Sequence, residues 1–472
     1  MSTAPPTTQP ADFWTRDRVR AALAGVAVGN HPAGSELFRR VWTDTRTIEP
    51  GDLFVALSGE RFDAHEFLRD AVAKGATGLV VSRATAAANL GVPAFEVDDT
   101  LAALGALGRF RRKAWSGPVV AVVGTNGKTS TKELIRAALG SRLDVHATTG
   151  NLNNLVGVPL TLLALPDAAD VAVIEMGTNA PGEIARLRAI VDPDVTVVTS
   201  IAEEHLEGLG DVAGVLREEL AGVEAVPVAV VPASQPEVAD GARAKARRVV
   251  TAGLDTGDVA AVASSIDENG RGHMRVDGCE IVVPLRGLHN LRNATLALAA
   301  ARELGVGLDD AARGIAAMAP PPMRVNWERI GRATLINDAY NSNPGSARAA
   351  IELLRHAGKG RQRVAVLGSM LELGAQTLTL HDDVARAALA DGLELVAAVG
   401  EFAAAFARVA PNDPRVVLAA DVDSLWSALA SRLTPDAVIL LKGSRGMRLE
   451  RLVKPITEWA TGAAPADTVG HP

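Results

Sequence analysis

Short runs of apolar, mostly β-branched residues alternate with Ala- and Leu-rich segments along most of the chain. Runs of about five apolar residues, such as 119–123 (VVAVV) and 171–174 (VAVI), predict buried strands. The longer segments between them predict helices. Because strands that alternate with helices are typical of parallel-sheet domains, the pattern predicts an α/β fold.

The alternation falls into three blocks. The first contains DLFVAL, GLVVS and AFEVDD and ends in a helix predicted from Thr100 to about Ala114. A Pro-rich segment at 317–324 predicts a linker between the second and third blocks, because proline removes a backbone donor and resists helix. A chain of 472 residues is also too long for one ordinary core. We therefore predict three domains, at 1–116, 117–320 and 321–472.

Charge, cysteine content and hydropathy limit the partners and the cellular compartment that we expect for this chain. The formal net charge of −7 argues against a nucleic-acid partner, whose phosphates demand a basic face. The single cysteine, Cys279, excludes an internal disulfide and fits a reducing compartment. The N-terminus has neither a basic start nor an apolar run, and no segment approaches the roughly 18 apolar residues of a membrane span. These features predict a cytoplasmic protein without membrane insertion.

The strongest motif is a glycine-containing loop between a strand and a helix predicted to begin near Lys132. Its backbone N–H groups and the helix N-terminus would cradle phosphates, with Lys128 reaching the β and γ oxygens and Thr129 ligating Mg²⁺. Val122 occupies the position of the first glycine in the standard motif. A glycine-rich turn with an incidental lysine is the alternative. The loop comprises Gly124, Thr125, Asn126, Gly127, Lys128, Thr129 and Ser130.

Two polar residues follow other strands of the second block. Glu175 ends the run VAVIE, where carboxylates of parallel strands point into a ligand crevice, so we predict Mg²⁺ ligation. His205 follows the run VTVVTSI and is a second candidate metal ligand. The alternatives are a solvated acid and a structural histidine.

A helix is predicted after His205, with Asp211 as its N-cap. At about 100° per residue, Glu219 falls inside the apolar stripe of this helix and Glu218 lies on its flank. A buried carboxylate needs a cation or strong donors, so Glu219 is a candidate site residue. A different helix register is the alternative. The stripe consists of Val212, Val215, Leu216, Leu220 and Val223.

Asn290 and Asn293 begin an Ala-rich helix and are three residues apart. Two amides at this spacing share a helix face and suit the hydrogen-bonding edge of adenine. Helix capping by Asn290 is the alternative.

Four other polar residues carry weaker signals. Arg324 and Asp338 flank the start of the third block and suit an anion contact and a turn. Thr45 and Arg46 suit a phosphate but equally a polar loop.

Taken in order, these motifs resemble the Mur ligases of peptidoglycan synthesis, over nearly the whole chain. The resemblance implies a UDP-substrate α/β domain, a central P-loop ATPase domain with a mainly parallel sheet, and a C-terminal Rossmann-like domain. It also implies ATP and Mg²⁺ as cofactors. The stretches that carry it are DTR…GDLFVALSG, GTNGKTSTK, EMGTNAPGEI, HLEG, GLHNLRNA, DAYNSNP and LLKGSRGM.

Within the family, the chain is most similar to members that add D-alanyl-D-alanine to UDP-N-acetylmuramoyl-tripeptide through an acyl phosphate. NLNNLVGVPLTLL, DAYNSNPGSARAA and VLGSMLELG carry this similarity. The DNPR tetrapeptide typical of MurE, which adds the third amino acid, does not occur. We expect a monomer acting in cytoplasmic peptidoglycan precursor synthesis. The alternatives are another Mur-type ligase, such as MurE or a folylpolyglutamate synthase relative, and a P-loop ATPase module without ligase activity.

The resemblance also assigns roles to individual residues. Lys128 and His205 would be catalytic, and Thr129, Glu175 and His205 would serve the metal ions. The remaining assignments are Asn290 and Asn293 for adenine, Arg324 and Asp338 for phosphate and ribose, Thr45 and Arg46 for the UDP end, Asn151 and Asn154 for the muramoyl part, and Lys442, Ser444 and Arg445 for the acceptor carboxylate.

One position departs from the family. Mur ligases carry a carbamylated lysine about fourteen residues after the metal-site histidine, where this chain has Glu219. No lysine occurs between Lys132 and Lys245. Glutamate offers the same charge with a shorter reach, so we predict that Glu219 replaces the modified lysine as a catalytic and metal-site residue.

Overall fold

The computed structural model describes residues 8–29, 31–59, 62–267, 270–321 and 324–462. Two positions of the predicted linker, 322 and 323, lie outside the described residues. Three sheets of four or more strands follow one another along the chain, as the alternating pattern predicts. No helix among the described residues is long and apolar enough to cross a membrane.

The N-terminal domain contains a four-stranded parallel sheet in the order β3-β4-β7-β8, with β1–β2 and β5–β6 as separate antiparallel pairs. The strands are β1 (Trp14–Thr15), β2 (Leu37–Phe38), β3 (Val41–Trp42), β4 (Leu53–Val55), β5 (Ser58–Gly59), β6 (Phe62–Asp63), β7 (Gly78–Val81) and β8 (Ala94–Glu96). The helices are α1 (Arg16–Leu23), α2 (Leu68–Ala73) and α3 (Thr100–Ala114).

The central domain is built on a nine-stranded sheet in the order β10-β11-β9-β12-β13-β14-β15-β16-β17, which is parallel from β10 to β15, whereas β16 pairs antiparallel with both β15 and β17. The strands are β9 (Val119–Val123), β10 (Val145–Ala147), β11 (Val171–Glu175), β12 (Val195–Val198), β13 (Val228–Pro232), β14 (Val249–Leu254), β15 (Val259–Ile266), β16 (Arg271–Val276) and β17 (Cys279–Arg286). The helices are α4 (Lys128–Leu139), α5 (Gly157–Leu163), α6 (Glu183–Val191), α7 (Leu206–Leu209), α8 (Val212–Glu219), α9 (Pro236–Arg243), α10 (Leu288–Glu303) and α11 (Leu308–Ala316).

The C-terminal domain has a six-stranded sheet in the order β18-β19-β23-β20-β21-β22, parallel except for β18. The strands are β18 (Asn326–Ile330), β19 (Ala333–Asp338), β20 (Arg363–Leu367), β21 (Leu395–Ala398), β22 (Val416–Leu418) and β23 (Val438–Lys442). The helices are α12 (Pro344–Ala357), α13 (Thr377–Ala390), α14 (Glu401–Val409), α15 (Val422–Leu429) and α16 (Val453–Thr461).

Helix α3 joins the N-terminal domain to the central one. A Cβ at Gly108 would lie 2.9 Å from Pro159 Cα on α5, so only glycine allows this close approach. The Arg112 side chain donates to the carbonyl of Val191 at 3.1 Å, at the end of α6. The N-terminal domain is therefore packed directly on the central domain through this helix.

The order of the central sheet determines where ligands bind. Strand β9 lies between β11 and β12, and all five of its residues are buried. The chain passes from β9 to β10 and β11 on one side of this strand and then crosses to β12 on the other. In open α/β sheets, the crevice at such a reversal is the ligand site. The ends of β9, β11 and β12 all open into this crevice.

One helix start was wrong in the sequence prediction. Helix α4 begins at Lys128, four residues before the predicted start near Lys132. Gly127, in the left-handed region at φ 83°, is its N-cap. The helix therefore begins inside the phosphate-binding motif, which brings its N-terminus closer to any bound phosphate than the sequence prediction had it.

Candidate active site

A cleft of about 1210 Å³ lies between the central and C-terminal domains. The glycine loop from Thr125 to Ser130 lines it, as do side chains at the ends of β11 and β12. Residues of α10, β19 and β23 complete the lining. Two domains therefore contribute to one cavity, of a size suited to a small-molecule ligand.

The glycine loop is held closely against α10. A Cβ at Gly127 would lie 2.8 Å from both Oδ1 and Nδ2 of Asn293. Asn293 Nδ2 donates to Asn290 Oδ1 at 3.1 Å, and Asn290 Nδ2 donates to the carbonyl of Arg286 at 2.8 Å. Both amides line the cleft, so the pair predicted from the sequence lies beside the loop that it was expected to accompany.

Lys128 lies between several oxygen atoms. Its Nζ donates to the carbonyls of Gly124 at 2.5 Å and Thr125 at 3.1 Å. The carboxylate of Glu204 is 3.8 Å from the same nitrogen. An anionic ligand at the loop would compete for this ammonium group, which is one-seventh exposed.

Thr129 and Glu175 meet at the start of α4. Thr129 Oγ1 donates to Glu175 Oε1 at 3.2 Å, and Asn153 Nδ2 donates to the same oxygen at 2.9 Å. Glu175 Oε2 is buried without a hydrogen-bond partner, and its nearest cation is Lys132 Nζ at 3.9 Å. An orphaned buried carboxylate oxygen beside a hydroxyl is a donor set that suits Mg²⁺.

Glu219 is buried beside the glycine loop. Its Oε2 accepts the Gly124 N–H at 2.8 Å. Burial raises its pKa to about 7, although the Lys128 charge and the Gly124 hydrogen bond act in the opposite direction. The sequence prediction that this carboxylate faces inward is confirmed.

Glu218, which the helical spacing places on the flank of the apolar stripe, is also buried. Its carboxylate accepts the backbone N–H groups of Gly182 at 2.7 Å and Ile184 at 2.8 Å. Gly182 is the N-cap of α6, so Glu218 caps that helix from α8. The N–H groups of α6 offset the cost of burying this carboxylate. The residue spacing along α8 gives no sign of these donors, because they belong to another helix.

His205 lies at the domain interface. Its backbone is in the left-handed region at φ 52°, and its Nδ1 pairs with the carboxylate of Glu372 in the C-terminal domain. Burial disfavours the charged ring, but the Glu372 hydrogen bond and the nearby Glu204 charge together raise the pKa of His205. Within the described ranges, no three His, Cys, Asp or Glu side chains form a metal-binding group. The structure thus brings Thr129 and Glu175 together, whereas His205 and Glu219 lie around Lys128.

Arg324 and Asp338 extend the lining from the C-terminal side. The Arg324 guanidinium stacks over the Tyr340 ring at 4.3 Å from its centroid. Asp338 accepts the Val325 N–H at 3.2 Å and pairs with Lys442 Nζ at 2.8 Å. The side chains of Arg324, Asp338, Tyr340 and Lys442 all line the cleft.

The three residues predicted for the acceptor carboxylate line two adjoining cavities, which share His205. Lys442 is buried in the large cleft, where it pairs with Asp338. Ser444 and Arg445 instead line a smaller cavity of about 150 Å³, together with His205 and Glu372.

Of the other predicted substrate residues, two line the large cleft and two do not. Asn151 and Asn154 line the large cleft, but Asn154 Oδ1 already accepts the backbone N–H of Gly157 at 2.9 Å. Thr45 and Arg46 do not line this cleft, and the exposed Arg46 guanidinium pairs with Asp44.

Several residues in or beside the cleft were not predicted from the sequence. Lys132 is buried and donates to the carbonyl of Thr148 at 2.7 Å, and Asn153 contacts Glu175. Lys132 lies one helical turn after Lys128, which is a spacing that the sequence does show. Asn343 contacts Asn126 across the interface at 2.8 Å, and no local pattern indicates that pairing.

Comparison with known proteins identifies the same three parts. Residues 38–112 match the Mur ligase family catalytic domain. Residues 122–301 match the Mur ligase middle domain, and residues 323–445 match the glutamate ligase domain of Mur ligases.

Two similar sequences are UDP-N-acetylmuramoyl-tripeptide--D-alanyl-D-alanine ligases. The Bacillus subtilis (strain 168) protein is 34% identical over 427 residues, covering 89% of this chain and 93% of its own length. The Escherichia coli (strain K12) protein is 35% identical over 433 residues, covering 89% and 94%.

Solved structures agree with this similarity. MurF from Acinetobacter baumannii superposes with a TM-score of 0.87 at 31% identity, over 96% of this chain and 100% of the other. A MurF ligase from Thermotoga maritima, in complex with ADP, gives a TM-score of 0.80 at 26% identity over 90% and 99%.

Proposed function

This chain belongs to the Mur ligase family, and we propose that it joins D-alanyl-D-alanine to UDP-N-acetylmuramoyl-tripeptide at the expense of ATP. The MurF relatives match the chain over most of its length and theirs, and they carry this activity in their names. The reaction belongs to peptidoglycan synthesis. Because nucleotide-linked substrates and ATP are its reactants, we place it in the cytoplasm.

One observation carries the proposal. A single cleft holds the glycine loop of the central domain and the Arg324, Asp338 and Lys442 side chains of the C-terminal domain. A loop that only hydrolysed ATP as a switch would not need a second domain to line its site. A ligase does need one, because it must hold ATP, a carboxylate and an amine together.

The terminal carboxylate of the tripeptide is a poor electrophile and must first be activated. The terminal carboxylate of the tripeptide attacks the γ-phosphorus of ATP, so ADP leaves and an acyl phosphate forms. The amine of D-alanyl-D-alanine then attacks the acyl carbon, and the tetrahedral intermediate expels phosphate and loses a proton to give the amide. The first step brings two anions together, so the site must neutralise charge.

The chain's own residues suit that requirement. We assign Lys128 to the β and γ phosphates, where its ammonium group would exchange the loop carbonyls for phosphate oxygens. We assign Thr129 and Glu175 to Mg²⁺, supported by the orphaned Oε2 of Glu175. When bound there, Mg²⁺ supplies positive charge to the transferring phosphoryl group.

The remaining assignments concern substrates and organisation. We assign the Asn290 and Asn293 amides to adenine, and Arg324 and Asp338 to phosphate and ribose. Thr45 and Arg46 would bind the UDP end only if the substrate extends beyond the cleft that they do not line. Domain boundaries near 116 and 320, and a monomeric state, are part of the proposal.

Phosphate release tests the function. We expect release only when ATP, Mg²⁺, UDP-N-acetylmuramoyl-tripeptide and D-alanyl-D-alanine are all present. Omitting any one should reduce the rate to background. Faster turnover with the UDP-dipeptide and a free diamino acid would replace the proposal with a MurE-type activity. Release that ignores both the peptide substrate and the acceptor would indicate an ATPase module.

A further inference from the structure

A loop of the C-terminal domain, residues 369–374, lies across the interface on the segment that follows β12. The Glu207 N–H donates to the carbonyl of Glu372 at 3.3 Å. The Glu372 carboxylate pairs with the His205 ring. A Cβ at Gly374 would lie 3.1 Å from Glu207 Cα, so the two segments are in close contact. This loop belongs to the stretch VLGSMLELG, for which the proposed reaction chemistry names no role.

Both residues of the ion pair have unusual backbones. His205 has φ 52° and Glu372 has φ 65°, so two non-glycine residues in the left-handed region face each other across a domain boundary. Such conformations persist only where surrounding contacts determine them, and they concentrate at functional sites. Their direct pairing indicates that the side chains are aimed at each other.

The ion pair is next to the phosphate-binding lysine. Glu204, adjacent to His205, is 3.8 Å from Lys128 Nζ. The other carboxylate oxygen of Glu204 accepts from Asn341 Nδ2, in the C-terminal domain, at 2.9 Å. Two consecutive residues of the central domain therefore contact the C-terminal domain on one side and Lys128 on the other. Movement of the C-terminal domain would change both contacts together.

We propose that Glu372 is a positioning residue: in the docked arrangement its carboxylate orients the His205 ring beside Lys128, so that turnover depends on the C-terminal domain being closed. The inference rests on the proposed function. Because the pair forms only when the domains are docked, its contribution belongs to steps in the closed enzyme. Nucleotide binding to the glycine loop does not require it.

The test compares Glu372→Ala and Glu372→Gln with Glu328→Gln. Glu328 is an exposed glutamate on β18 of the same domain, remote from the pair in sequence, and is the matched control. We expect kcat for phosphate release to fall about tenfold in Glu372→Ala, while KM for ATP stays within about twofold. Glu372→Gln, whose amide oxygen still accepts a hydrogen bond, should lose less. Turnover of Glu372→Ala equal to that of Glu328→Gln overturns the proposal.

A double-mutant cycle tests whether Glu372 acts through His205. We expect His205→Ala/Glu372→Ala to be no slower than His205→Ala alone, because the residue to be positioned is already absent. Losses that multiply instead would show that Glu372 acts independently of His205, and would overturn the inference.

Small-angle scattering supplies a readout that does not depend on turnover. With saturating ADP, we expect the wild type and Glu328→Gln to share one radius of gyration and Glu372→Ala to show a larger one. Equal radii for all three proteins would overturn the coupling to closure. If the wild type releases no phosphate with the full substrate mixture, the proposed function fails, and the scattering comparison still decides the role of Glu372.

Discussion

The Asn293 amide lies directly over Gly127, the N-cap of α4. A Cβ at Gly127 would be 2.8 Å from the amide, and the backbone there has φ 83°, which L side chains rarely adopt. Two independent constraints therefore require glycine at this position. The helix that carries Asn293 thus determines how the phosphate loop is held.

Gly127→Ala should weaken nucleotide binding. The added methyl group forces the loop or the amide pair to move, and the left-handed backbone costs about 1–2 kcal/mol by itself. We expect at least a tenfold loss in ADP affinity by calorimetry. Gly307→Ala is the control, because a Cβ at Gly307 meets nothing within 4 Å. Equal ADP affinity in the two variants would contradict the contact.

Lys128→Ala should remove catalysis without unfolding the protein. The ammonium group is the side-chain cation of the glycine loop, and losing such a partner at a developing charge costs about 100-fold or more in kcat. Lys245→Ala, at a partly exposed lysine that pairs with Glu224, serves as the control. Thermal melting should be closely similar for both variants. A folded Lys128→Ala enzyme with near-normal turnover would place the phosphate site elsewhere.

Glu218→Ala should loosen α6. The substitution leaves the N–H groups of Gly182 and Ile184 without their acceptor, at a cost of about 1–3 kcal/mol for a buried donor. We expect faster amide hydrogen exchange over α6, measured by mass spectrometry. The exposed Glu237→Ala on α9 should exchange like the wild type. Unchanged protection in Glu218→Ala would show that this cap adds no stability.

Much of the fold follows from local pattern. Helix α3 spans Thr100–Ala114 as predicted, and α8 has Asp211 as its N-cap. The sequence also predicts the central strands β9 and β11, because strands buried on both faces are almost continuously apolar.

Other features depend on contacts between distant segments. Strand β15 begins with the apolar run VAAVA but is exposed over much of its length, so an apolar run does not by itself give the burial seen in β9. Lys442 was predicted to face an acceptor carboxylate, but it pairs with Asp338, which lies on the neighbouring strand of the folded sheet. Glu218 is buried because the first turn of α6 supplies its donors. Spacing along one helix or strand contains none of this information.

The buried carboxyl of Glu219 makes stability depend on pH. Its pKa is about 7 in the folded protein, against an ordinary value of 4.5, so the folded state holds more protons between these values. Stability of the ligand-free protein should therefore fall as pH rises through this window, by about 3 kcal/mol at most. Glu219→Gln resembles the neutral carboxyl, so it should melt higher than the wild type at pH 8 and similarly at pH 5. A melting difference that does not change with pH would contradict this.

The role of Glu219 should also make the activity of this chain differ from that of family members that depend on a carbamylated lysine. Glu219 accepts the Gly124 N–H beside Lys128, and no lysine between Lys132 and Lys245 is available to react with CO₂. Activity should therefore persist when bicarbonate is removed. Replacing the carboxylate by a neutral amide should raise the Mg²⁺ concentration needed for half-maximal phosphate release several-fold, because a negative charge near the phosphates is lost. Glu237→Gln, an exposed control on α9, should leave that concentration unchanged. Loss of activity on CO₂ removal, or the same Mg²⁺ requirement in both variants, would show that another residue takes the place of the modified lysine.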